Sequence, residues 1–165
     1  MKWISAALCA LALFAVSGHG VDAVSEVESL DLPNAPVVVK ATDESSMLVD
    51  VNGARNSAHV GGLIRDERLN ALARGHARDM IARRYFGHET PEGTTFDARF
   101  REAGIPYKWA GENLAEIGDE PSAHKALMAS PGHRENILEA HYRRIGIAAI
   151  SVGTYTTLYV QEFSD

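Results

Sequence analysis

From residue 46 to residue 143 the apolar positions of this chain recur every three or four residues, and from residue 144 every second one. Met47, Leu48, Val51 and Ala54 predict a helix over 47–58, weakened by Gly53. Asp66 is a good N-cap for a clearer helix whose buried stripe is Leu69, Leu72, Ala73, His76 and Met80. Thr94 or Thr95 caps a third helix with Phe96, Phe100 and Ala103 on one side and Gly104 as its stop. Glu120 and Pro121 open a short helix reaching Ala129, and Ser130 with Pro131 opens the next. The period then changes. Ile145, Ile147 and Ala149 alternate with Arg144, Gly146 and Ala148, and Val152-Gly153-Thr154 turns into a second strand over 155–163. Ala110 to Ile117 is a weaker third strand. Helices first and paired strands last predict a mixed α/β domain with a mainly antiparallel sheet.

The first residues belong to another pattern. Lys2, the uncharged run from Ile4 to Val16 and the small residues after it have the layout of a secretory signal peptide, residues 1–23, with a mature N-terminus between 19 and 24. Residues 24–45, with two prolines and acidic punctuation, read as a leader or linker with a short extended piece at Val37 to Val39. The domain is expected over 46–165. No later run approaches the length of a membrane span. Cys9, the single cysteine, leaves with the signal, so the mature chain depends on a packed core instead of disulfides. Sixteen basic and twenty-two acidic residues give a net charge of −6. With no basic stripe, nucleic acid is excluded as an expected partner.

Seven histidines are many for an acidic chain. His19 goes with the signal, His59, His124 and His141 read as solvated, and His76 reads as a hydrogen-bonded core residue. His88, in the turn of "YFGHETPEG", and His133, in "ASPGHRENIL", differ from these. A capping box would put Glu or Gln at the position of His133, because the positive end of the helix dipole suits a carboxylate. The dipole instead favours the neutral imidazole that a metal ligand or general base requires. Glu112, after Gly111 in "AGENLAEIG", is the third candidate. Ser130 with His133 as base is a possible nucleophile pair, although Ser130 is also expected to cap its helix. No HExxH, CxxC, Gly-x-Ser-x-Gly or phosphate-loop pattern accompanies them.

Taken in order, "HARDMIARRYFGHETPEG", "AGENLAEIG", "SPGHRENIL", "RRIGIAA" and "LYVQEF" resemble the CAP superfamily of cysteine-rich secretory, antigen 5 and pathogenesis-related proteins, in its cysteine-free bacterial SCP-like branch. The resemblance runs from about residue 69 to 163, with weaker agreement back to about residue 48. It implies a three-layer α-β-α sandwich with a cleft of histidines and glutamates able to hold zinc or another divalent cation. His88, Glu112 and His133 match three of the four cleft positions. The fourth falls near Ser130, and Leu127 stands where the branch usually has tryptophan. Three such donors would leave a fourth coordination position open. The expected function is a secreted or periplasmic binding or signalling module. Its unknown ligand is expected among lipids and cell-envelope components, and the mature chain is expected to be a monomer. The alternative is a hydrolase, metal-dependent or serine-type, with Glu112, His133 and Ser130 as its candidate catalytic residues.

Overall fold

A computed structural model describes residues 12–16, 27–154 and 156–165. Strand β1 (Ala12–Val16) comes first. It is followed by β2 (Glu28–Ser29), β3 (Val37–Val39), helix α1 (Ala41–Ser57), β4 (Ile64–Arg65), α2 (Glu67–Arg83), β5 (Tyr85–Phe86) and α3 (Phe96–Glu102). The chain ends with β6 (Ala110–Ile117), α4 (Glu120–Ala129), α5 (Pro131–Leu138), β7 (Arg144–Val152) and β8 (Thr156–Ser164). The main sheet runs β1-β6-β8-β7-β3, with these neighbours antiparallel, and β4 joins β7 in parallel.

Three central strands buried on both faces divide the molecule into layers. Leu114, Leu158, Val160, Ala148 and Ile150 point to α2, where Ala73, Ala77 and Met80 meet them. Ala115, Tyr159, Phe163, Ile145 and Ile147 point to the other side, against Met47 and Val51 of α1, Leu127 of α4 and Ile137 of α5. Strand alternation thus supplies one apolar face to each helical layer. The expected α-β-α sandwich is the observed architecture.

Local chemistry accounts for the element ends. Asp66 accepts from the N–H groups of Arg68 and Leu69 and so starts α2. Thr95 accepts from Ala98 N and starts α3. Gly104 and Gly153 take positive φ, at the end of α3 and in the β7–β8 turn.

Several details differ from the sequence reading. Helix α1 starts at Ala41, and Leu30 and Leu32 are buried, so much of the stretch read as linker packs into the fold. These leucines were obscured by the prolines and acidic residues around them. Arg55 is fully buried one turn beyond Val51. It donates to the carbonyls of Gly61, Ile137 and Glu139 at 2.7, 2.8 and 2.9 Å, satisfying loop and helix-end acceptors with one planar group. Of the segment read as an export signal, only Ala12–Val16 lies within the described residues, where it forms β1.

Candidate functional site

β6 organises the site because consecutive residues of a strand face opposite layers. Gly111, Asn113 and Ala115 face α5, whereas Ala110, Glu112 and Leu114 face α2 and α3. Gly111 has to be glycine: a Cβ there would collide with the Tyr142 hydroxyl and come within 2.8 Å of Asn136 Oδ1.

On the α2 side Glu112 is fully buried with both oxygens engaged. His88 Nδ1 donates to Oε1 at 2.7 Å, and Arg99 Nη2 donates to Oε2 at 2.6 Å. His76 Nε2 lies 3.7 Å from Oε2 and donates to Gly87 O at 3.0 Å. Arg99 Nη1 donates to His88 O at 2.7 Å. Two side chains from α2 and α3 therefore clamp the turn at residues 87 and 88, and the Glu112 carboxylate fixes the His88 ring. His88 Nε2 is buried without a hydrogen-bond partner among the described residues.

Burial alone would raise the Glu112 pKa, but the Arg99 guanidinium and the neighbouring imidazoles outweigh it and hold the carboxyl well below the usual carboxylate range. Burial depresses His76 to about 4, with Glu112 opposing only in part. Glu162 sits directly across from Glu112 in the β6–β8 pair, on the same face and fully buried. Burial and then the like charge of Glu112 raise its pKa well above the usual carboxylate value, favouring the neutral acid.

This pair of titrations contributes opposite slopes to the pH–stability curve. Glu162, raised from 4.5, makes stability fall as pH rises from 4.5 towards its folded pKa. His76, lowered from 6.5 to about 4, makes stability fall as pH drops from 6.5 to 4. The two slopes oppose each other between 4.5 and 6.5, and Glu120, raised from 4.5 to about 7 by burial and by Asp50 and Asp43, adds to the decline across that window. Glu162→Gln, neutral and isosteric with the protonated acid, should flatten that decline and raise the melting temperature at pH 8 more than at pH 5. Thermal melts across the range check this, and an unchanged alkaline slope would show that Glu162 ionises normally.

The α5 side holds His133. Its ring Nδ1 lies 2.7 Å from Ser130 Oγ. Ser130 occupies the N-cap position with no side-chain cap bond, so its hydroxyl is committed to His133 and not to the helix, contrary to the capping role expected from sequence. The backbone of His133 is pinned to β6. Asn113 Nδ2 donates to His133 O at 3.1 Å and to Gln161 Oε1 at 2.9 Å, and Asn136 Nδ2 reaches Asn113 Oδ1 at 2.9 Å.

The structure thus joins His88 to Glu112 directly, and places His133 with Ser130 in the opposite layer across β6. No group of three or more His, Cys, Asp or Glu side chains among the described residues is arranged to hold a metal ion. Glu112 already carries His88 on one oxygen and Arg99 on the other, and His133 lies in the opposite layer, so the three side chains are not gathered as one donor set. His88 Nε2 is the donor the arrangement leaves available.

Sequence reading missed Arg99 and Glu162, although both stand on apolar faces: Arg99 beside Phe96 and Phe100, Glu162 in line with Leu158 and Val160. His76 is the core histidine expected. His124 is half-buried, not solvated, because α4 turns its Nδ1 inward without a partner. His59 and His141 are exposed, and His141 stacks on Trp109 with 4.0 Å between ring centroids.

Known proteins share this fold. The chain is 36% identical over 132 residues to the uncharacterised protein YkwD of Bacillus subtilis strain 168, covering 79% of this chain and 49% of that protein, so it spans about half of that relative's length. It resembles an extracellular SCP-domain protein of Bacillus anthracis (28% identity, 76% of this chain and 41% of that one, TM-score 0.67). An outer surface protein of Borrelia burgdorferi shares the fold at 19% identity, 79% and 98% coverage and a TM-score of 0.74. A family profile, "CAP: Cysteine-rich secretory protein family", matches residues 48–163, and the chain belongs to that family.

Proposed function

We propose that this chain is an exported CAP domain that works as a binding or signalling module in the cell envelope or outside the cell, with its ligand seated along β6 between His88 and helix α5. The observation that carries the reading is His88: Glu112 holds one ring nitrogen, Arg99 holds Glu112, and the second ring nitrogen is buried with no partner among the described residues. A buried polar atom without a partner is costly, and a ligand that satisfies it recovers that cost on binding. The extracellular and outer-surface descriptions of the structural relatives support export. Among the described residues no helix is long and apolar enough to cross a membrane.

A divalent cation at this cleft would take His88 Nε2 as its protein donor, with Glu112 orienting the ring in place of ligating and His133 outside the donor set in the opposite layer. Carboxylate-oriented imidazole is a common arrangement at metal sites. Zinc binding by calorimetry should weaken from pH 7 to pH 5 and be lost in His88→Ala. Equal zinc binding by the parent and His88→Ala would remove the cation from this cleft.

One observation favours hydrolysis as a second reading: the 2.7 Å contact between Ser130 and His133 pairs a hydroxyl with a base. Hydrolysis of a generic nitrophenyl ester, with and without zinc, by the parent and by Ser130→Ala decides between the readings. The binding module predicts equal background rates for both proteins. Saturable turnover lost in Ser130→Ala would establish the hydrolase instead.

A further inference from the structure

β6 is paired along its whole length on one side, Ala110–Ile117 with Thr157–Ser164 of β8. On its other side β1 pairs antiparallel with Gly111–Ala115, Ala15 opposite Glu112 and Val16 opposite Gly111. β1 lies in the uncharged run expected to leave with the export signal, and the family match starts at residue 48. Once the chain is cut between residues 19 and 24, the outward N–H and C=O groups of Glu112 and Leu114 lose their partners. A bare edge of that kind is a template for another strand.

We propose that the chain freed of its leader uses this edge to bind an extended polypeptide segment of small and apolar residues from a partner protein, as a strand antiparallel to β6. The inference rests on the binding-module reading and names the class of ligand. Three observations support it. The lane has an occupant of this type in the structure, the stretch Ala-Leu-Phe-Ala-Val. Helix α5 packs against both β1 and β6, so the lane has a helical wall whose first turn carries His133 beside Ser130. Beside the lane, Glu112 already has its charge matched by Arg99, so a charged ligand residue buried there would lack a counter-ion.

Other occupants fit less well. An acyl chain has no amide groups and would bury the strand edge without satisfying its donors and acceptors. A second copy pairing edge to edge would bring its own α5 over the same lane, where the two helices would compete for one space. An extended polypeptide supplies main-chain hydrogen bonds and needs the width of only one strand.

The test uses the chain from residue 24 onward, the full chain produced without export, and a capped, labelled peptide spanning residues 11–18 as probe. Circular dichroism first establishes that the shorter chain is folded. The peptide should then bind it saturably and slow exchange of the Glu112 and Leu114 amides, which face this edge, while the full chain, with its lane filled, should not bind. A peptide carrying Ala15→Pro should bind at least about tenfold more weakly, since Ala15 stands opposite Glu112, whose main-chain groups face this edge, and proline removes its ladder donor. The proposal is overturned if the folded shorter chain ignores the peptide, or if the proline peptide binds equally well. It is also overturned if dodecanoate protects the same amides, or if sedimentation shows the shorter chain self-associating through this edge. Such an outcome, alongside His88-dependent zinc binding and no Ser130-dependent turnover, would leave the binding-module reading standing. Ser130-dependent turnover with intact peptide binding would do the reverse.

Discussion

Gly146→Ala should prevent stable folding, or cost about 4 kcal/mol or more, the range reserved for severe overpacking. Gly146 lies in the middle of β7 on the face toward α2, and a Cβ built there would overlap the backbone of Leu69 and Asn70. Those atoms belong to the helix itself and cannot rotate aside as a flexible side chain would. Relief requires α2 to lift off the sheet. That would break the bond from Ile147 N to Asn70 Oδ1, 2.8 Å long, and open the contacts of Ala73, Ala77 and Met80 with the sheet. Because α2 also supplies His76, the site would loosen with the core. Urea titration of Gly146→Ala beside Gly53→Ala provides the check. Gly53 sits on an exposed face of α1 with nothing within 4 Å of an added Cβ, so that substitution should be neutral or stabilising by up to about 1 kcal/mol. Similar behaviour of the two variants would mean that α2 does not approach the sheet this closely.

How far the chain can be read in advance depends on whether periodicity or pairing decides a residue's place. The stripe Leu69, Ala73, His76, Met80 and the cap at Asp66 follow from helix geometry, and α2 forms where they place it. The alternation through Ile145, Ile147 and Ala149 likewise gives β7, and the weak strand expected over Ala110 to Ile117 is β6. The motif resemblance correctly gave the family and the layering. What stayed hidden are interactions between residues distant in sequence. Nothing near Glu112 announces that Arg99 will occupy its second oxygen, or that Glu162 will face it across two strands. Glu44, fully buried and paired with Arg74, was hidden for the same reason. Arg55, Arg99 and Glu162 did leave a local trace, because each interrupts an apolar face at the correct period. A charge on a buried face implies a partner, but the sequence does not say which one. His133 shows the limit from the other direction: its helix position was legible, whereas its bond to Ser130 and its place in the layer opposite Glu112 were not.

The second large effect is expected at Glu112, whose charge organises the buried cluster. Glu112→Gln preserves shape and leaves Arg99, nine-tenths buried, without its closest counter-charge; the loss should be about 3 kcal/mol, at the lower end for breaking a buried ion pair. The lower end is expected because Glu162 is held neutral partly by the charge of Glu112. Remove that charge and the Glu162 pKa falls, so Glu162 can ionise and serve Arg99 in its place. This makes the two carboxyls interdependent. Glu162→Gln alone should be mild at pH 5, but Glu112→Gln with Glu162→Gln should cost more than the sum of the two single changes, since Arg99 then has neither carboxylate. A double-mutant cycle by urea unfolding should give a coupling of about 1 kcal/mol or more, as contacting groups in one network do. The pH dependence gives an independent reading. The native Glu112 carboxyl is held low, so its stabilisation is present above the ordinary carboxylate pKa and is lost as pH falls through its depressed value. Glu112→Gln should therefore bring the parent and variant curves together in strong acid and separate them above pH 4.5. Additive losses and parallel curves would mean that Glu112 and Glu162 titrate independently and that Arg99 draws its compensation from elsewhere.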